Sequence, residues 1–256
     1  MHSPIFFGRM DGAELMFYIF CFFFLGLVIW LQRESHREGF PLEDDVTGRK
    51  LAHGGITQVP PTKIFHMPFG EDDVVTPTRE TQPLEIATAR RTAPWGGSPI
   101  EPIGGGVGAG IGPGAYADRR DVPDRTHEGH LRIVPISDTE ITVETRDADP
   151  RGMTAIGADG EAAGTITNLW VDRSEMMLRY LEVTVGGKAV LMPMTMCVVD
   201  RKRHQVECSA INAAQFAGAP TIATPGTITR LEEDKIVAYF GGGYLYANAS
   251  RSEPLL

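Results

Sequence analysis

Two short stretches concentrate side chains that can hold and release protons near neutral pH. The first, Asp124-Arg125-Thr126-His127-Glu128-Gly129-His130, sets two histidines and two carboxylates within seven residues. Histidine titrates closest to neutrality of all side chains. Carboxylates join it when burial or a like charge lifts their pKa. The stretch is polar and reads as a surface loop. A solvated polar turn, a proton-collecting loop and, more weakly, a metal site from His127, Glu128 and His130 all fit it. The second stretch is Asp172-Arg173-Ser174-Glu175, with Arg179 four residues on. Asp172 ends a strand-like run. Spacing alone makes this a surface turn with ordinary ion pairs, which add little stability.

Other patterns exclude chemistry. The formal charge of −9 over 256 residues argues against a nucleic-acid partner, which would want a basic face. The same charge suits plain solubility or an acidic surface that attracts cations. Cys21, Cys197 and Cys208 form no CxxC pair and are odd in number, so they read as free thiols. Gly104 to Gly114, GGGVGAGIGPG, lacks the Lys-Ser/Thr of a phosphate-binding loop and reads as a flexible turn. No nucleophile elbow organises the serines and histidines, so no nucleophilic enzyme is indicated. Met192, Met194 and Met196 alternate as filling residues, and Trp170 and Tyr180 read as packing. Glu232, Glu233 and Asp234 read as charges at a helix start.

The elements that must position these groups begin with Leu15 to Leu31, seventeen residues without a charge. At about 1.5 Å each they reach about 25 Å, so Ala13 and a snorkelling Arg33 complete a span of about 30 Å. Twelve of them are Leu, Ile, Val or Phe. At about 0.3–0.6 kcal/mol each these favour insertion by about 4–7 kcal/mol. A signal peptide would need a basic start and a small-residue cleavage site, whereas Asp11 and Glu14 precede the run. The reading is an uncleaved anchor over 13–32. Arg9 stands alone before it, and Arg33, Arg37, Arg49 and Lys50 follow, which puts 1–12 outside and the rest in the cytoplasm.

From 33 to 120 prolines interrupt short extended pieces such as Lys63-Ile64-Phe65 and Val74-Val75. With Phe65, Met67, Phe69, Ile86 and Trp95 as anchors, this segment is expected to wrap over a surface. From 121 to 256 the texture is β. Strand-like runs are Ile133 to Ile136, Ile141 to Glu144, Gly164 to Asp172, Tyr180 to Val185, Ala189 to Met194, Cys197 to Asp200 and Gln205 to Ala210. Asp159-Gly160 and Gly186-Gly187 supply hairpin turns. A small antiparallel barrel or sandwich follows. Thr229 and Glu232 make a capping box for a helix of about ten residues that Gly241-Gly242-Gly243 stops.

Several strings resemble the H subunit family of purple-bacterial photosynthetic reaction centres. Gln32-Arg33-Glu34 and Arg37-Glu38-Gly39-Phe40-Pro41-Leu42 are similar to that family's juxtamembrane segment. Asp149-Pro150-Arg151-Gly152-Met153, Leu169-Trp170-Val171-Asp172-Arg173-Ser174-Glu175 and Arg179-Tyr180-Leu181-Glu182-Val183 follow in order. Glu232-Glu233-Asp234-Lys235 and Gly242-Gly243-Tyr244-Leu245-Tyr246-Ala247 complete the match. The resemblance implies one transmembrane helix, a cytoplasmic β domain of the PRC-barrel type and one short C-terminal helix. It implies an accessory, non-catalytic subunit in the bacterial inner (photosynthetic intracytoplasmic) membrane. Its partners are the L and M subunits, with room for a cytochrome subunit and a light-harvesting antenna. Bacteriochlorophyll, bacteriopheophytin, quinones and non-haem iron sit in the complex and none on this chain.

Such a cap shields the quinones from water and must therefore carry protons itself. Glu175 matches the family's glutamate facing the secondary quinone, with Asp172 and Arg179 in its charged network. Asp124, His127, Glu128 and His130 match the loop at the cytoplasmic mouth of the proton path. One branch of the family has His-Gly-His there. Here His130 matches the second histidine, Glu128 stands at the first, and His127 lies one place earlier. The alternative is a membrane-anchored PRC-barrel docking module with no proton role.

Overall fold

A computed structural model describes residues 5–7, 10–40, 60–77 and 88–251, with 42, 44, 47 and 49 between them. Arg9, Pro41, Lys50 and Ile86, used in the sequence argument, lie outside the described residues. The chain divides into two compact units, 1–85 with 92–99, and 86–91 with 100–256.

In the first unit the strands β1 (Ile5–Phe7) and β2 (Met10–Asp11) pair antiparallel and lead into α1 (Gly12–Ser35). Asp11 caps the helix, its Oδ1 accepting from the Glu14 backbone N–H at 2.9 Å. The 24 residues of α1 rise about 36 Å, and the helix is long and apolar enough to cross a membrane. None of its residues is buried by the chain. After it, Arg37 pairs with Glu34 at 2.7 Å and donates to the Pro61 carbonyl at 2.7 Å. Lys63 reaches the same Glu34 at 2.8 Å. These contacts tie the end of the helix to the expected short strands, β3 (Lys63–Phe65) and β4 (Val74–Thr76), which pair with Ile64 opposite Val75. Phe65, Phe69 and Trp95 are exposed within the chain.

The second unit carries a short pair, β5 (Ala89–Arg91) with β6 (Ile100–Pro102), and a sheet of seven strands. These are β7 (Ile133–Pro135), β8 (Thr154–Ile156), β9 (Ala162–Asp172), β10 (Met177–Val185), β11 (Lys188–Pro193), β12 (Cys197–Asp200) and β13 (Gln205–Cys208). Their order is β11-β10-β9-β8-β13-β12, and β7 also pairs with β9. All pairs are antiparallel except β8 with β13. The 11 residues of β9 make this possible: its first half borders β8 and its last three residues border β7. β10 and β11 turn on Gly186-Gly187, both with positive φ (55° and 85°), the backbone a two-residue turn of type I′ requires.

The two faces of the β9–β10 hairpin supply Trp170, Leu169, Tyr180, Leu181 and Val183, all fully buried. Against the sheet lies α2 (Arg230–Tyr246) with Ile236 and Phe240, and Phe240 meets Phe216 edge-on at 5.6 Å. The expected class, an apolar N-terminal helix with a mainly-β unit and a C-terminal helix, is what the chain adopts.

Three local expectations need correction, at Ile141 to Glu144, at the end of α2 and at the expected flexible turn of Gly104 to Gly114, and one strand was not expected. Ile141 to Glu144 is not a strand; it finds no ladder partner, and Ile141 and Val143 pack sideways onto the core. β8 is too short to announce itself and exists because β9 and β13 flank it. Most clearly, α2 does not stop at Gly241-Gly242-Gly243 but runs 17 residues through them. A Cβ on Gly243 would lie 2.4 Å from the Ala210 carbonyl oxygen and 2.4 Å from Ile211 Cγ2. The glycines let the helix backbone touch its neighbours. One neighbour is the Gly104 to Gly114 stretch, which is a packing element: Val107, Ala109 and Gly114 are buried in its two 3-10 turns.

Helix propensity alone says that Gly243→Ala gains about 1 kcal/mol. The close approach says that overpacking wins, with a net loss of about 2 kcal/mol. Thermal unfolding of the full chain in detergent decides the sign, and a lower midpoint is expected.

Candidate functional site

The chain approaches the site along the start of α2. The Arg230 N–H donates to the Val122 carbonyl at 3.0 Å, and Pro123 bridges to Thr229. Thr229 and Glu232 form the expected capping box, each side chain accepting from the other's backbone N–H. The chain then leaves the helix and makes a small loop. Thr126 N–H donates to the His130 carbonyl at 2.8 Å, and Gly129 N–H to the Thr126 carbonyl at 2.9 Å. At the base the Arg132 N–H donates to the Asp124 carbonyl at 3.0 Å. Asp124 and Arg132 therefore face each other where the loop closes, and Arg132 enters β7.

Pairing of β7 with β9 sets Ile133 opposite Asp172, which brings Arg132 beside Asp172. The Arg132 guanidinium gathers three carboxylates. Its Nε donates to Asp172 Oδ2 at 2.9 Å, one Nη to Asp124 Oδ2 at 3.2 Å, and the other Nη to Glu175 Oε1 at 2.6 Å. Asp172 has no solvent exposure, Glu175 is half exposed, and Arg132 lies between them at 28%. The other Asp172 oxygen accepts from the Ser174 and Glu175 N–H groups at 2.8 and 3.1 Å. This bond pair folds the turn that presents Glu175. Burial works against the charge on Arg132, but the facing Asp172 and Asp124 carboxylates outweigh it and hold its pKa above the ordinary value.

A second acidic group lies alongside. Arg230 donates to the other Asp124 oxygen, Oδ1, at 3.2 Å, and that oxygen also accepts from the Arg125 N–H at 3.0 Å. From the first turn of α2, Glu233 accepts from the Tyr180 hydroxyl at 3.0 Å and sits 3.7 Å from Arg179. Burial pushes the Glu233 carboxyl up, partly offset by the Tyr180 hydroxyl and Arg179 and reinforced by Asp124. Burial and the Glu233 carboxylate push the Tyr180 hydroxyl up as well.

The sequence-predicted residues divide into three groups. Asp124, Asp172 and Glu175 converge on one guanidinium. Arg179 belongs to the neighbouring Glu233–Tyr180 group. His127, Glu128 and His130 lie at the loop and are exposed, with His127 Nε2 3.8 Å from Glu128 Oε1. Among the described residues no three His, Cys, Asp or Glu side chains converge as metal ligands. Sequence reasoning missed Arg132, the centre of the cluster, and read Glu233 and Tyr180 as a helix-start charge and a packing ring. A signal for Glu233 was present: it shares a helix face with Ile236 and Phe240, three and seven residues on, both fully buried. Nothing local marks Arg132, because its partners lie 8, 40 and 43 positions away.

Two family models match the chain. One, described as the photosynthetic reaction centre H-chain N-terminal region, covers residues 4–138. The other, the PRC-barrel domain, covers residues 143–215. Asp124 and Arg132 fall in the first match, and Asp172, Glu175 and Arg179 in the second.

Breaking a buried pair by removing one partner costs about 3–5 kcal/mol. Arg132→Met is expected to lose less, about 2–3 kcal/mol, since Asp172 keeps two backbone donors and the arginine is partly exposed. Glu175→Gln, on a half-exposed group, is expected to lose under about 1 kcal/mol. Guanidinium unfolding of the full chain in detergent compares them; equal effects would contradict the hub role of Arg132.

Glu233 supplies a pH test. Its folded pKa is raised, so the native state holds the proton more tightly than the unfolded chain. That contribution is complete below the ordinary carboxyl pKa of about 4.3 and is lost as pH rises through the raised value. The thermal midpoint of Glu233→Gln is expected to fall less than that of the parent chain over this rise.

Proposed function

Since the chain belongs to the photosynthetic reaction centre H-chain family, we propose that it caps the cytoplasmic face of the L and M subunits and relays protons to their secondary quinone. The family is a structural subunit of a complex with pigments and quinones, so the electron-carrying groups are the partners'. The apolar α1 and the family together support membrane anchoring. In this reading 1–12 is periplasmic, 13–32 spans the photosynthetic membrane, 33–120 wraps the partners and 121–256 is the cytoplasmic cap.

The reduction of a quinone to quinol takes up two electrons and two protons. A headgroup shielded from bulk water keeps its charged intermediates out of wrong solvation, and the shield also stops free protons. Protons then travel on side chains. His127, Glu128 and His130 collect them at the exposed loop, where histidine is the group that changes charge near neutrality. Asp124 stands at the base of that loop. Arg132 holds Asp124, Asp172 and Glu175 around one centre, so a proton passed between carboxylates by water moves only across the width of a guanidinium. The arginine does not titrate. It stays charged and holds the three carboxylates together. Glu175, half exposed on this chain, delivers the proton to the partner side, with Arg179 and Glu233 adjusting the local field.

The observation that carries this reading is the convergence of Asp124, Asp172 and Glu175 on Arg132 directly below the histidine loop. A docking module without a proton role needs no buried carboxylate wired to a surface loop.

Glu175→Gln in the purified complex tests it. The first electron transfer to the secondary quinone is expected to keep its rate. The proton-coupled second transfer is expected to slow by about tenfold or more, general acid–base groups contributing ~10²–10⁴ in rate. Flash-induced kinetics that match the parent at every pH would remove the proposal.

A further inference from the structure

Among the described residues, Thr126 Oγ1 is the one buried side-chain oxygen or nitrogen with no hydrogen-bond partner in the chain. A buried hydroxyl left unpaired is costly, and in native proteins such a group marks a bound water or a functional contact. This one sits in the loop that carries the histidines, so its surroundings follow from how that loop is built.

Thr126, His127, Glu128 and Gly129 form a turn, closed by the Gly129 N–H on the Thr126 carbonyl. Gly129 takes a positive φ of 90°, and the Thr126 N–H then reaches the His130 carbonyl. The result is a three-residue hairpin loop with a bulge at its glycine. The Arg125 guanidinium also donates to the Gly129 carbonyl at 2.8 Å, which holds the turn shut. Next along the two arms, Arg125 bridges antiparallel to Leu131, and the Arg132 N–H bonds the Asp124 carbonyl. Side chains alternate along each arm. Arg125 and Leu131 therefore share one face, and Asp124, Thr126, His130 and Arg132 share the other. On that second face the Thr126–His130 pair adjoins the Asp124–Arg132 pair. His127 and Glu128 occupy the corners of the turn and belong to neither pair.

Two residues along a strand span about 7 Å. One water, bonding at about 2.8 Å on either side, covers such a gap between polar atoms. Asp124 has a place for it. Its carboxylate accepts from the Arg125 N–H, from Arg230 and from Arg132, and two carboxylate oxygens take about four donors. Oδ2 carries only the bond from Arg132. On the other side, opposed side chains stand about 5 Å apart at Cβ. The exposed His130 ring therefore reaches the hydroxyl by turning about its own side-chain bonds.

We propose that Thr126 is the proton-relay residue between His130 and Asp124, holding a water on its hydroxyl. The inference rests on the proton-carrying reading of this cap. A hydroxyl donates one hydrogen and accepts at two lone pairs, so it takes a proton on one side while giving its own on the other. The His130 imidazolium gives its N–H proton to the Thr126 oxygen. Thr126 gives its own hydroxyl proton to the water, and the water gives one of its hydrogens to Asp124 Oδ2. Hydroxyl and water end neutral, His130 is left neutral and Asp124 is protonated. The hydroxyl and the water then turn back, and His130 takes its next proton from solvent.

Thr126→Val replaces the hydroxyl by a methyl at nearly constant shape, and Thr126→Ser keeps the hydroxyl. Both are placed in the purified complex and compared with Glu175→Gln, using a pH-indicator dye to follow flash-induced proton uptake. Thr126→Val is expected to slow the uptake that accompanies the second electron by about tenfold or more, with the first electron transfer at the parent rate. Thr126→Ser is expected to restore most of the lost rate. Equal slowing by Val and Ser would reveal a packing role and overturn the relay. Uptake at the parent rate in Thr126→Val would overturn it too. Slowing in Glu175→Gln alone then leaves the wider proton path standing, whereas slowing in neither removes both.

Discussion

A carboxylate shut away from solvent has to be compensated where it sits, because an unpaired buried charge is too expensive to keep. Asp172 is in that position at the end of β9, with no exposure at all. Three donors meet it: two backbone N–H groups from its own turn and the Nε of Arg132. This pairing fixes far more than one ion pair. It sets the turn that carries Glu175. It also orients a guanidinium whose two remaining nitrogens are thereby aimed at Asp124 and Glu175. Without the β7–β9 ladder, Arg132 would not be there, and without Asp172 it would have no reason to turn inward.

The packing around this point explains why the site is built from so many parts of the chain. β10 supplies Arg179 and Tyr180, α2 supplies Arg230 and Glu233, and the segment before β7 supplies Asp124. The helix can lie close enough to do this because its glycine run lets backbone meet backbone at Ala210 and Gly114. A helix held away by ordinary side chains would carry Glu233 away from Tyr180. The cluster is thus a consequence of how closely α2 approaches its neighbours. The two family matches meet at it as well, since Arg132 lies in the H-chain region and Asp172 in the PRC-barrel region.

Much of this was legible in the residues. The apolar span, the Gly186-Gly187 turn, the Thr229–Glu232 box and most strands carry local signals: charge-free length, positive-φ residues, a capping pair, short apolar runs. Asp172 and Glu175 stood out through resemblance, and the structure joins them. What stayed hidden depends on long-range pairing. Arg132 looks like any arginine before a strand until β7 pairs with β9. Gly241-Gly242-Gly243 reads as a stop by propensity, and only the nearness of Ala210 reveals a packing role. Cys197 and Cys208 are 11 residues apart in sequence, and only the β12–β13 register makes them neighbours.

The central claim is that protons bound for the quinone cross this chain's carboxylates. Flash-induced proton uptake, followed with a pH-indicator dye, tests it most directly when complexes lacking this chain are compared with the same complexes after it is restored. Restoring the chain is predicted to return fast uptake in step with the second electron, and restoring the Asp172→Asn form is predicted to return assembly without that speed. Equal uptake rates with the parent chain and with Asp172→Asn would contradict the account.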